Sequence, residues 1–184
     1  MIGNVVIIHG WGANSNSNWF PWLKKELEDK NIKTSVPNLP NTQNPILADW
    51  LDHINKNIKI NKNTILIGHS LGVPCILRFL EKLNKNNKVK AAYLVSGFDR
   101  SLDITELDNF IDKPFNWNKI RNSSEKFTII NSDNDPYIPI NIGNELAKNL
   151  GEKLLIEHNA GHINEPGGYL SYQRLLNLIL ENTK

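Results

Sequence analysis

The sequence predicts an α/β fold built on one parallel sheet, and three observations predict it. Short apolar runs alternate with amphipathic stretches from one end to the other. The runs are almost continuously apolar, as strands covered on both faces are, and do not alternate in the manner of half-exposed ones. The residues able to do chemistry stand directly after the runs, where an open α/β sheet collects its functional groups. Strand-helix-strand repetition implies crossovers and a parallel sheet. The expected architecture is therefore three-layered, with six parallel strands between two layers of helices.

The expected strands are 4–9, 32–36, 64–68, 91–96, 127–131 and 154–158. Helical periodicity places helices near 22–30, 46–57, 73–83, 140–150 and 171–180. Pro74 falls in the first turn of its helix, where a missing N–H costs nothing. Pro21 is the natural opening residue of the first helix. One connection, 97–126, exceeds the others and holds Phe98, Phe110, Phe115 and Trp117 with a short helical pattern over 105–111. It reads either as a lid or as a crossover helix preceded by a surface loop. No repeat, linker or low-complexity tract divides the chain, so residues 1–184 are expected to form one domain.

Composition narrows the function classes. Apolar residues make up 40%, enough to bury a sheet, and the net charge is only +2. The Lys/Asn-rich stretches 56–63 and 82–90 contain neither aromatic nor arginine partners, so they read as solvated helix ends and turns, and no nucleic-acid partner is expected. No apolar run approaches bilayer length and no secretory signal is visible, so no membrane partner is expected. A single cysteine, Cys75, excludes an internal disulfide and suits a reducing compartment; the expected location is cytoplasmic. Cys75 itself reads as a small core residue.

The motif with most mechanical content is Gly68-His69-Ser70-Leu71-Gly72, between the third strand and its helix. A strand that becomes a helix within two or three residues forces a tight bend, and glycines two places either side make room for it. The serine hydroxyl then projects at the tip as a nucleophile, which makes the chain a candidate serine hydrolase. A serine needs a base, and imidazole titrates near neutrality. Of five histidines, His162, in a glycine-containing turn after the sixth strand, is the candidate base. His69 should point away from the hydroxyl, His9 should order its own loop, His53 should lie on the surface, and His158 ends the sixth strand. A carboxylate on the far ring nitrogen would fix the tautomer. Asp135, stiffened by Pro136, is preferred over Asp133, which reads as a turn former, and over the more distant Asp99.

The developing oxyanion needs two backbone donors, expected from Leu71 at the start of the elbow helix and from Trp11 after the first strand. His9-Gly10-Trp11-Gly12 does not fit a dinucleotide loop, because Ser15 stands where the third glycine belongs. The Asp-rich loop 132–136 lacks the further acidic ligand of a calcium site. No metal or cofactor is expected. Trp11, Trp19, Phe20 and Trp22 crowd one loop; Trp11 reads as a site residue, and Phe20 and Trp22 read as core. His9, Gly10, Trp19 and Trp117 are candidate substrate-binding residues.

Together these segments resemble the small serine-hydrolase family of the α/β-hydrolase fold typified by retinoblastoma-binding protein 9 and its bacterial relatives. The resemblance rests on His9-Gly10-Trp11-Gly12, Asn18-Trp19-Phe20-Pro21-Trp22-Leu23, Val36-Pro37-Asn38-Leu39-Pro40, the Ser70 elbow, Asp135-Pro136 with Pro139, and Gly161-His162. It implies a minimal hydrolase sheet of six parallel strands in the order 2-1-3-4-5-6, lacking the two extra N-terminal strands of larger hydrolases and without a large cap, and a triad of Ser70, Asp135 and His162. The expected substrate is a small-molecule acyl compound: a carboxylic ester, or a thioester or small amide. A hydrolase-derived protein-binding module and an acyltransferase are the alternatives. The Leu-x-Cys-x-Glu segment of the family's vertebrate name has no counterpart around Cys75, where Val73 and Leu77 flank it, so that partner is not carried over.

Overall fold

The computed structural model describes residues 2–84 and 87–181. Six strands form one parallel sheet: β1 (Asn4–Ile8), β2 (Lys33–Ser35), β3 (Thr64–His69), β4 (Ala91–Val95), β5 (Phe127–Ser132) and β6 (Leu154–Glu157). Their order is β2-β1-β3-β4-β5-β6. Helices α1 (Phe20–Glu28), α2 (Leu47–Asn57), α3 (Gly72–Lys82), α4 (Thr105–Asp108), α5 (Trp117–Asn122), α6 (Ile140–Leu150) and α7 (Gln173–Glu181) connect or follow them. Part of the Lys/Asn-rich stretch 82–90 lies outside the described residues, as do Met1 and 182–184. No helix among the described residues is long and apolar enough to cross a membrane.

The two-residue period of the strands splits the core in two. Val6 and Ile8 of β1, with Leu66, Leu94 and Ile129, face Trp50, Ile76 and Leu146 on α2, α3 and α6. Val5 and Ile7, with Ile65, Ile67, Tyr93 and Ile130, face Leu23, Leu175 and Ile179 on α1 and α7. Full coverage on both faces holds only for the inner strands. In β2 Lys33 is exposed, and in β6 Ile156 is exposed, because an edge strand has a neighbour on one side only. The strand order reverses between β1 and β3. The crevice at that switch point opens beside the loops that carry Trp11 and Ser70.

The long connection 97–126 packs on the α3 side of the sheet, where Phe98, Leu107, Phe110 and Ile120 join the core. Arg78 of α3 ties it down: its guanidinium donates to the carbonyls of Phe110, Lys113 and Pro114, pairs with Glu81, and lies 3.8 Å over the Phe115 ring. The helix over 117–122 is capped by Asn116, whose side chain accepts the Lys119 N–H.

Candidate active site

Ser70 sits between the last residue of β3 and the first turn of α3 at φ 54°, in the left-handed region that non-glycine residues rarely occupy. Its N–H donates to the Val95 carbonyl (3.0 Å), fixing the bend against β4. Glycines beside the bend and across from it are required by contact. A Cβ on Gly72 would lie 2.1 Å from the Ile8 carbonyl oxygen, and one on Gly10 would lie 2.9 Å from the Ser70 Cβ. The helix start is thus wedged against the end of β1. Among the described residues, neither the Leu71 N–H nor the Trp11 N–H donates to another group of the chain, and the Ser70 hydroxyl makes no hydrogen bond. Hydrogen bonds to a nucleophile are commonly long until substrate closes the site.

His162 and Ser70 line one cavity of about 240 Å³, with Gly10, Trp11, Asn18 and Asn164. The His162 Nδ1–H donates to Asp135 Oδ2 at 2.7 Å, and the Asp135 side chain is fully buried. The other carboxylate oxygen accepts the N–H groups of Tyr137 (2.9 Å) and Ile138 (3.1 Å). A carboxylate so held can only accept, which assigns the ring proton to Nδ1 and leaves Nε2 as an acceptor on the far side.

Consecutive residues of the acid-bearing loop hold the turn that carries His162. Asp133 accepts the Asn159 N–H (2.8 Å) and the ring of His158. Ser132 Oγ accepts the Ala160 N–H (3.0 Å), and Asn134 Oδ1 accepts the Gly161 N–H (2.8 Å) as well as the Ser132 hydroxyl (2.7 Å). The turn needs this support. Asn159, Gly161 and Ile163 all have positive φ, and for the β-branched Ile163 (φ 48°) that is strained. From below, His69 Nε2 (3.0 Å) and Ser96 Oγ (3.1 Å) both donate to the His162 carbonyl. That bond leaves His69 Nδ1 buried without a partner among the described residues. Burial, with the His162 ring beside it, lowers the His69 pKa to about 3, so this imidazole is neutral.

Three candidate binding residues lie elsewhere. His9 is buried; its Nδ1–H donates to the Gly10 carbonyl and Nε2 accepts the Leu39 N–H, so both nitrogens shape loops. Burial lowers its pKa. Trp19 is also buried, its indole N–H on the Ile163 carbonyl, where it supports the strained turn from behind. Trp117 lines a separate cavity of about 760 Å³ with Asp99, Arg100 and Phe115, none of which borders Ser70. Gly10 and the 41%-exposed Trp11 do border the cavity. Asp99 is committed to Arg100 and Asn149. Cys75 is buried and its thiol pKa is raised by burial, which keeps it inert. Ser132, Asn134, Tyr137 and Asn164 are site neighbours that pattern reading does not single out, although a run of four acceptor side chains, Ser132-Asp133-Asn134-Asp135, is visible in the sequence.

The serine hydrolase family model matches residues 5–181. YdeN of Bacillus subtilis (strain 168), a hydrolase by name, is 38% identical over 173 residues, 93% of this chain and 91% of that protein. The crystal structure of the ydeN gene product superposes with a TM-score of 0.94 at 36% identity, over 98% of each chain. The serine hydrolase RBBP9 of Rattus norvegicus is 26% identical over 157 residues, 84% of this chain and 82% of its own. A crystal structure of esterase PE8 shares the fold, with a TM-score of 0.63 at 20% identity over 97% and 92% of the two chains. The architecture is that of an α/β hydrolase without a large cap.

Proposed function

Because the chain belongs to the serine hydrolase family, we propose that this enzyme hydrolyses a small carboxylic ester through an acyl-Ser70 intermediate. The single observation behind this choice is the His162–Asp135 hydrogen bond of 2.7 Å, held in the cavity that Ser70 borders at a left-handed bend. In the proposed cycle Ser70 Oγ attacks the carbonyl carbon and its proton passes to His162 Nε2. The N–H groups of Leu71 and Trp11 receive the oxyanion, each worth about 3 kcal/mol in the transition state. Collapse expels the alcohol, which takes the proton from His162. Water, deprotonated by the same nitrogen, then releases the acid and restores Ser70. Asp135 keeps the proton on Nδ1 and stabilises the imidazolium. A thioester or small amide fits the same steps. A cytoplasmic location accords with the lone, reduced Cys75.

The test is labelling with a fluorophosphonate, alongside turnover of p-nitrophenyl esters of increasing acyl length. The wild type is expected to be labelled at Ser70. Ser70→Ala is expected to lose labelling and to lower kcat by about 10⁴-fold or more. Folded wild-type protein that resists the probe and turns over no ester would overturn the proposal.

A further inference from the structure

A second cavity, of about 150 Å³, lies against the other flank of His162. Its walls are Pro136, Tyr137, Gly161, Asn164, Pro166 and Gly167. It shares His162, Asn164 and Pro166 with the cavity that holds Ser70, so the two adjoin at the imidazole. The Tyr137 ring stands edge-on to His162, with centroids 5.1 Å apart and planes at 84°. Its N–H is tied to Asp135, yet the residue is 61% exposed, unusual for so large an apolar surface in this chain.

We propose that this cavity is the leaving-group subsite, and that Tyr137 is its specificity-determining wall for aromatic or short-branched alcohols. The inference rests on the ester-hydrolase reading given above. The chemistry sets the sides. The carbonyl oxygen must lie at the Leu71 and Trp11 amides, whereas the leaving oxygen must take its proton from His162 Nε2. Substituents on that oxygen therefore extend over the imidazole, toward Tyr137 and Pro166, and away from Trp11. The walls bring two prolines, glycine backbone and one aromatic face, with no Lys, Arg, Asp or Glu among them. Such a lining favours a neutral apolar group. The volume is of the order of an engineered apolar cavity that admits benzene, so one ring can be seated there. Face or edge contact with the Tyr137 ring supplies the selectivity for a planar group.

Two ester series separate this from a general effect on the imidazole. At fixed acetyl, the ratio of kcat/KM for benzyl over ethyl acetate measures the leaving-group side. At fixed ethanol, the ratio for ethyl hexanoate over ethyl acetate measures the acyl side. Tyr137→Ala is expected to lower the first ratio roughly tenfold while the second keeps its value, and Tyr137→Phe is expected to preserve both. An unmoved benzyl-to-ethyl ratio in Tyr137→Ala, or an equal fall in the acyl ratio, would overturn the subsite while leaving ester hydrolysis by Ser70 intact. Hydrolysis of none of these esters by the wild type would overturn the subsite, and absence of fluorophosphonate labelling of Ser70 beside it would overturn the reading beneath as well.

Discussion

Asn134 shows how an uncharged residue can govern a histidine that it never touches. Its amide oxygen takes the Gly161 N–H, one residue before His162, in a turn with positive φ at Asn159 and Gly161 and a strained backbone at Ile163. Strain of this kind lasts only where surrounding groups over-determine the conformation. Removing one acceptor lets the turn relax and the imidazole drift, and small misplacements are costly to rate. Asn134→Ala is expected to lower kcat about tenfold with KM nearly unchanged, and to weaken the downfield proton signal of the His162 Nδ1–H. Asn134→Asp keeps the acceptor and is expected to restore both. Asn134 is hard to find by pattern, because asparagine in a loop usually satisfies its own backbone. Ser70 and His162 are easier to pick out: each follows the end of an apolar run, between glycines or after one. His9, Trp19 and Trp117 misled for the opposite reason. Polar edges on large rings serve equally well inside a core, and only coordinates show that the Trp19 indole meets the Ile163 carbonyl.

Among the elements, the connection between β4 and β5 is the one whose role turns on a single distant residue. Arg78 is nearly buried on α3 and supplies donors to three carbonyls of this segment. Replacing it by methionine leaves those carbonyls and Glu81 without their cation. Arg78→Met is expected to cost about 3 kcal/mol in denaturant unfolding and to open 97–126 to limited proteolysis, while the folded fraction keeps its ester turnover. The strands of the sheet were legible to within about a residue at each end, since their apolar runs are bounded by turn formers. The helix over 117–122 was not, because six residues carry too little periodicity to separate from a loop. Its Asn116 cap is the only local mark. The edge strands β2 and β6 likewise read as fully covered because their runs resemble the inner ones, and exposure depends on neighbours that the run does not encode.

At the scale of the whole molecule, two neutral imidazoles lie inside the fold, and they make it sensitive to acid. His69 has a native pKa of about 3, and His9 is lowered in the same direction by burial. Below the ordinary histidine pKa of about 6.5 the unfolded chain binds protons that the native chain refuses. Stability therefore falls as pH drops from about 6.5, with a slope from His69 approaching about 1.4 kcal/mol per pH unit, until the native state itself titrates near pH 3. Above pH 7 this contribution is flat. Urea midpoints at pH 7, 6 and 5 check it, and His69→Gln is expected to flatten the trend. The parallel sheet could be read from strand-helix alternation and its order from the family resemblance, whereas this internal chemistry could not. A histidine beside Ser70 looks the same in sequence whether it faces solvent or the core.

The Gly72 wedge bears on how such an enzyme can diversify. With only a hydrogen atom separating the start of α3 from the Ile8 carbonyl, and the buried His9 ring on the Gly10 carbonyl, the Leu71 and Trp11 amides proposed to receive the oxyanion are held by groups behind the cavity. Residues at the rim, such as Trp11, Tyr137 and Pro166, can therefore be exchanged without moving that wedge, so new preferences can arise by single changes around a fixed centre.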